Sequence, residues 1–192
     1  MYTGASTGDS CDGALARAHA ILFRTPYQGN KDLRTELNAQ GAHYYDMHLS
    51  ELAQDLRYGF MPKPDFAIIE SCQLVEKGDV VEIVPTAGVG NVPTFCRLAD
   101  KVIVELNMPA TMRGMHDIYE PADPPQRREI PVYTVSDRIG TDCITIPAEK
   151  LLAVVKTNRP NEVGAFTPLD EVTEKIGENV ASFLEAEMKA GR

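Results

Sequence analysis

Apolar positions along the chain fall into two kinds of run. Residues 65–72, DFAIIESC, are almost continuously apolar and rich in β-branched side chains, the pattern of a strand buried on both faces. VVEIV (80–84), residues 101–105 (KVIVE), IPVYTV (130–135) and LLAVVKT (151–157) read as further strands, with a short one over residues 21–24. The link Glu76-Lys77-Gly78-Asp79 suits a hairpin, with Gly78-Asp79 at its tip. Elsewhere the apolar residues recur at helical spacing. Residues 12–20 predict a helix capped by Ser10 or Asp12, and residues 31–39 one capped by Asn30 and ended by Gly41. A helix from Ser50 places Leu52, Leu56 and Phe60 on one face and ends near Gly59. A shorter one covers residues 94–99. The motif Thr167-Pro168-Leu169-Asp170 predicts a helix start with Thr167 as cap and Pro at the first position, followed by Val172, Ile176, Val180, Phe183 and Met188 on one stripe. The stretch 108–129, rich in Pro, Arg and Met, predicts irregular structure. Strands alternating with helices imply an α/β fold: an open, mixed, mainly parallel sheet flanked by helices, the 65–84 hairpin supplying its antiparallel part.

Composition narrows the function classes. The 192 residues, 43% hydrophobic and 24% charged, suit one globular domain spanning 1–192. No apolar run is long enough to span a bilayer, and no charged segment followed by an apolar one marks a secretory signal. A net charge of −9 argues against nucleic acid or an anionic membrane as partner, while leaving room for small anions at local Lys and Arg. Cys11, Cys72, Cys96 and Cys143 form no C-x-x-C unit, so they read as free thiols of a cytoplasmic, reducing compartment.

Candidate chemistry begins at GASTG, Gly4 to Gly8, a literal G-x-S-x-G. In a hydrolase elbow, Ser6 would be the nucleophile, with a downstream acid and His; Asp100 and His116 are the better-spaced pair. Such a serine stands on a central strand preceded by others, and only three residues precede Gly4. The segment Gly88-Val89-Gly90-Asn91 follows a strand and precedes a helix, so its amides can cradle an oxyanion, or it is simply a tight turn. It lacks the G-K-[ST] of a Walker loop, and Pro93 breaks G-x-G-x-x-G. His43 and His48 are badly spaced for a metal, and no tightly bound cofactor is expected. His116 reads as a structural hydrogen-bonder, and Glu70 as a carboxylate closing a strand.

Taken together, GASTGDSCDGALARA, FRTPYQGNKDLR, YYDMHLSELAQDLRYGF, VPTAGVGNVPTF, LADKVIVELN, GMHDIY and DRIGT, in this order, resemble the N-terminal half of the acetyl-CoA hydrolase/transferase family, the class I CoA-transferase branch. The resemblance implies two similar α/β domains in a cytosolic, usually dimeric enzyme acting on an acyl-CoA and a small carboxylate. It also implies ping-pong chemistry through a glutamyl-CoA thioester, with glycine-loop amides stabilising the oxyanions. The family's nucleophilic glutamate lies in the second half, so the resemblance makes this chain a fragment truncated at both ends, inactive alone and completed by a second CoA-transferase domain in cis or trans. Gly4, Ala5 and Ser6, with Gly88, Val89, Gly90 and Asn91, then fall on the acyl-carboxylate side of the cleft as substrate-binding loops, none of them catalytic; Arg159 matches a basic position near the domain junction. The alternatives are a non-catalytic subunit that pairs with a glutamate-bearing partner, and a Ser6 hydrolase.

Overall fold

A computed structural model describes residues 1–4, 7–107, 110–160 and 166–191. The chain divides into two compact units, Met1–Asn161 and Glu162–Arg192.

The first unit opens with a small module. A π-type turn, Asp9–Gly13, runs into the short helix α1, Ala14–Arg17. Two-residue strands β1 (Phe23–Arg24) and β2 (His43–Tyr44) pair in parallel, and α2 (Lys31–Asn38) lies between them in sequence. Asn30 caps α2 as expected, accepting from the Asp32 and Leu33 amides. Gly41 is not the left-handed residue beyond this helix; Gln40 is, at φ +60. Ala16, Ile21 and Leu33 form the module's core. Asp12, expected as a helix cap, is instead wholly buried and bound bidentately by Arg24, at 2.9 and 3.2 Å. The helix therefore begins earlier, in the π-type turn, and stops at Arg17.

Helix α3, Leu49–Tyr58, buries Leu52 and Leu56 and ends on Gly59 at φ +78, as its periodicity predicts; Phe60 lies past the end and is exposed. The main sheet follows. Strands β3 (Phe66–Lys77) and β4 (Val80–Pro85) form the expected hairpin around Gly78. Helix α4 (Val92–Leu98) leads to β5 (Lys101–Asn107), and β6 (Ile144–Pro147) and β7 (Leu151–Thr157) complete the order β6-β4-β3-β5-β7. β3–β5 and β5–β7 are parallel; β3–β4 and β4–β6 are antiparallel. The main sheet is thus open and mixed, with two of its four ladders parallel rather than most of them, because the β3–β4 hairpin brings β6 in antiparallel as well; β1–β2 is a separate parallel pair.

Two expectations change. Residues 130–135 form no strand: Pro131 has no amide for a ladder, and the Asp137 carboxylate takes the Tyr133 and Thr134 amides at 2.7 and 2.9 Å, curling the segment into an exposed turn. The strand that stands there in the sheet is instead β6, whose four residues, ITIP, are too short to announce themselves. β6 and β7 lie at opposite edges yet are joined only by the 3-10 turn Ala148–Lys150. Its hydrogen bonds pin it: Ala148 N–H to Asp79 O at 2.8 Å, Lys101 Nζ to Glu149 O at 2.7 Å and Lys150 Nζ to Arg97 O at 2.8 Å.

One face of the sheet carries the core. Ala67, Ile69, Val81, Ile83, Val102 and Val104 pack with Cys96 and Ala99 of the α4 region. The opposite face is apolar but uncovered: Phe66, Ile68 and Val155 are exposed. Residues 65–72 are apolar on both sides, but within the first unit they are buried on one face and not on the two that the run predicts. In the second unit α5, Glu171–Lys189, is capped by Asp170 rather than Thr167, the Asp170 carboxylate accepting from the Thr173 amide at 2.7 Å; its stripe of Val172, Ile176, Val180, Phe183 and Met188 is exposed.

Ile69 is 3% exposed and its neighbour Ile68 is 73% exposed. Ile69→Ala is expected to lower the stability of this chain by about 2–5 kcal/mol, and Ile68→Ala by less than about 1 kcal/mol. Urea unfolding followed by circular dichroism measures both; equal losses would mean that both faces are covered.

Candidate functional site

The turn between β4 and α4 is built on a carboxylate. Glu70, near the middle of β3, accepts from Thr86 Oγ1 at 3.0 Å and from Asn107 Nδ2 at 2.8 Å. Asn107 is buried at the end of β5, and also exchanges hydrogen bonds with the Arg159 backbone just beyond β7, at 2.7 and 3.1 Å. Glu70 and Asn107 together therefore tie the ends of β4, β5 and β7. The place of Glu70 in the apolar run suggests that it closes the strand, but β3 continues to Lys77 on pairing with β4; both Glu70 oxygens are engaged in hydrogen bonds. Arg159 joins this knot through its main chain.

From Thr86 the chain makes the glycine turn. Gly90 adopts φ +49, a left-handed conformation that strains any residue with a side chain. Its Cα also faces Gly4: a Cβ on Gly90 would lie 3.6 Å from the Gly4 Cα, and one on Gly4 would lie 3.4 Å from the Asn91 amide nitrogen. The two glycine segments singled out in the sequence thus meet main chain to main chain. A Cβ on Gly88 would meet nothing within 4 Å, so that glycine stands open. Ala5 and Ser6 lie outside the described residues. The contact of Gly4 with Gly90 and Asn91 contains no ionisable side chain; what it can offer is hydrogen bonds from main chain and one amide, close to a ligand because no Cβ stands in the way.

Val89, Gly90 and Asn91 also form one wall of a cleft of about 540 Å³, with α3 and residues 115–121 opposite. Arg57, Thr94 and Glu120 line the cleft and belong to a charge network. Arg57, 6% exposed, donates to Asp123 at 3.0 Å and to Thr94 Oγ1 at 3.2 Å; Arg97 reaches the other Asp123 oxygen at 2.8 Å, and Thr94 donates to Glu120. Desolvation pushes the Asp123 carboxyl upward, but the hydrogen bonds from Arg57 and Arg97 outweigh it and hold it below the usual aspartate value. On the rim, Arg127 donates to Gln54 Oε1 at 3.0 Å and sits 5.6 Å from the Tyr58 ring centre.

Residues 115–121 are themselves held from behind. The Asp117 carboxylate takes the Ile139 and Gly140 amides, at 3.2 and 2.6 Å, and Ile118 bridges Thr141. A Cβ on Gly140 would lie 2.1 Å from the Ile118 carbonyl oxygen, so the G of DRIGT is required by close packing on GMHDIY. His116 places Nε2 3.1 Å from the Pro85 carbonyl, a structural contact beside the glycine turn. All four cysteines are free. Burial, with the Glu120 charge beside it, pushes the Cys96 thiol up to about 12, so it fills the core rather than reacting. Sequence reasoning reached the two glycine segments but not Arg57, Thr94, Glu120 and Asp123. They come from α3, α4 and an irregular stretch, with no spacing to link them.

The model of the acetyl-CoA hydrolase/transferase N-terminal domain matches residues 1–156. A succinyl-CoA:acetate CoA-transferase of Clostridium kluyveri is 43% identical over 194 aligned positions, covering 100% of this chain and 36% of that protein. A propanoyl-CoA:succinate CoA transferase of Escherichia coli is 38% identical, over 100% of this chain and 39% of its own length. An acetyl-CoA hydrolase of Yarrowia lipolytica is 34% identical, over 100% of this chain and 37% of its own. The chain thus spans 36–39% of the length of these relatives.

Gly90→Ala is expected to cost about 1–2 kcal/mol for the left-handed backbone, and Gly88→Ala no more than about 0.5 kcal/mol. Urea denaturation of the two variants reads the difference, and equal costs would contradict the left-handed backbone at Gly90. Asp123 yields a pH prediction. Its folded carboxyl titrates below its unfolded value of 3.8, so its contribution is full above that value and is lost as pH falls through the lower folded one. Stability curves of the wild type and Asp123→Asn should therefore converge as pH falls below about 4; parallel curves would show that Asp123 adds nothing to the acid limb.

Proposed function

Because the chain belongs to the acetyl-CoA hydrolase/transferase family, whose N-terminal domain its residues 1–156 match, we propose that it forms the carboxylate side of a site that moves coenzyme A between acids or releases it to water. The observation that carries this reading is the contact of Gly4 with Gly90 and Asn91 beside an open cleft. Acyl transfer develops negative charge on a carbonyl oxygen, and fixed main-chain donors stabilise such an oxyanion without reorganising. A site walled by glycine turns lets those donors approach the acyl group. Gly4, Ala5, Ser6, Gly88, Val89, Gly90 and Asn91 are the residues we assign to it.

The contact holds no nucleophile, so the reading needs one from elsewhere. In our proposal it is a glutamate in the part of the relatives' length that this chain does not span, carried in the same chain or by a partner. Its carboxylate attacks the thioester carbonyl, forming a mixed anhydride and expelling the CoA thiolate. The thiolate attacks the glutamyl carbonyl of that anhydride, giving a glutamyl-CoA thioester and the free donor acid. An acceptor carboxylate reverses both steps and leaves as the new acyl-CoA; water in its place gives hydrolysis. The anhydride survives only where water is scarce, and a second domain closing over the cleft would exclude it. The uncovered apolar sheet face of Phe66, Ile68 and Val155 supports packing against such a domain, and pairing of such subunits into a homo-oligomer. Four unpaired thiols support a cytoplasmic, reducing setting, and among the described residues no helix is long and apolar enough to cross a membrane.

The test joins this chain to the remaining length of a relative, in one chain or two, and supplies succinyl-CoA with labelled acetate. Label in acetyl-CoA, together with a hydroxylamine-sensitive enzyme–CoA adduct, is the expected result. CoA release without label transfer marks the hydrolase form of the same site, and neither product nor adduct overturns the reading.

A further inference from the structure

The main chain on either side of residues 4–6 leads back to one place. On the entering side, Thr3 N–H donates to Thr25 O at 3.3 Å, and Tyr2 bridges Thr25 in parallel. On the leaving side, Thr7 and Asp12 bind each other reciprocally: Thr7 N–H donates to Asp12 Oδ2 at 3.0 Å, and Asp12 N–H donates to Thr7 Oγ1 at 3.2 Å. Arg24 joins the two. Its Nε and Nη2 grip both Asp12 oxygens, at 3.2 and 2.9 Å, while its Nη1 donates to Thr25 O at 2.8 Å. Thr25 is fixed in turn by its hydroxyl, which donates to Tyr45 O of the neighbouring chain segment at 2.6 Å.

The circuit Thr3–Thr25–Arg24–Asp12–Thr7 is closed, and its centre is a pair of full charges with no exposed side-chain surface. For stability alone this is a poor choice, because each buried ion carries a desolvation penalty of several kcal/mol that an apolar pair of the same volume avoids. A guanidinium gripping a carboxylate with two parallel hydrogen bonds offers direction instead: it fixes distance and plane, which packed methyl groups do not. The element whose place is fixed is the one that carries Gly4 so near the Gly90–Asn91 main chain that a Cβ on it would lie 3.4 Å from the Asn91 nitrogen.

We propose that Asp12 and Arg24 are positioning residues of the glycine site: their buried pair sets the separation of Thr3 and Thr7, and with it the position of Gly4 against Gly90 and Asn91. This rests on the acyl-transfer reading above. Neither side chain reaches solvent, so neither touches substrate; both act through the threonines. A displacement of about 1 Å at a catalytic site costs on the order of 100-fold in rate.

The test uses the chain joined to its second half, with Thr7→Val, Thr7→Ser and Asp12→Asn. Thr7→Val keeps volume and removes the acceptor for the Asp12 amide, whereas Thr7→Ser keeps it. In Thr7→Val and Asp12→Asn, kcat is expected to fall about 10- to 100-fold with KM for the CoA ester within about 2-fold, and Thr7→Ser is expected to restore kcat. Amide hydrogen exchange is expected to speed up at Thr3, Gly4 and Thr7 while β3 and β5 keep their wild-type protection. Unchanged kcat in Thr7→Val, no rescue by Thr7→Ser, or faster exchange spread evenly over the sheet would each overturn the proposal. If the wild type turns over no CoA ester, the functional reading fails by itself, and exchange still decides the positioning claim: acceleration confined to Thr3, Gly4 and Thr7 upholds it, and unchanged protection there refutes it. Should Asp12→Asn not fold, the Thr7 pair carries the test.

Discussion

Three residues join the two edges of the main sheet, and that link limits what the sheet can be. Four Cα steps, from Pro147 to Leu151, reach at most about 14 Å. The edges of a flat five-stranded sheet lie about 19 Å apart. The sheet must therefore coil, and β3 lets it. β4 pairs with residues 71–77 of β3 and β5 with residues 66–71, and the register slips between Ser71 and Gln73 where they change over. A bulge there sharpens the twist, and the Ser71 hydroxyl steadies it by donating to Val84 O at 2.9 Å. The link then reaches α4, because Lys150 donates to the Arg97 carbonyl while the helix's other end carries the glycine turn. The place of Gly90 thus depends on a crossing at the far end of the sheet.

Two carboxylates hold the site and show opposite ways of holding a charge in place. Glu70 is met by neutral donors, Thr86 and Asn107, and serves as a knot at the strand ends. Asp12 is met by a cation and by one main-chain amide, that of Thr7, and serves as a fixed point for the segment around Gly4. A hydrogen bond to a neutral donor leaves the charge nearly whole and asks little of geometry, whereas a bidentate pair asks for one arrangement. Neither acid lies within the Gly4–Gly90–Asn91 contact itself. The acids of this unit shape the cleft, and their chemistry is geometric.

Long runs of one period were legible in the sequence. β3, β4, β5 and β7 each announce themselves by β-branched apolar residues, and α3 by Leu52 and Leu56. What failed was local chemistry overruled by distant partners. Asp12 has the residue type of a cap, but Arg24 draws it inward; Thr167 begins a good capping motif, but Asp170 caps α5 three residues later. IPVYTV has strand composition without an available neighbour, whereas ITIP finds one in β4. The glycine segments were visible as turns because glycine is rare where nothing requires it. That they touch was invisible, since main-chain contact leaves no trace in side-chain pattern. The Arg57 network was illegible for the same reason: its members share a place and no period.

Gly4 and Gly90 are separated by 86 residues of chain, and that spacing has a consequence in time. A ribosome adding about 5–20 residues per second needs roughly 4–17 s to cover it. Helices and hairpins form in microseconds, so the early module can complete its own small core long before its counterpart exists. During that interval the segment bearing Gly4 lacks the Gly90–Asn91 turn and is held by tethers such as those to Thr25 and Asp12. A buried ion pair between residues only 12 apart in sequence suits such a wait: it lets the nascent half of the site keep its form until the other half is synthesised.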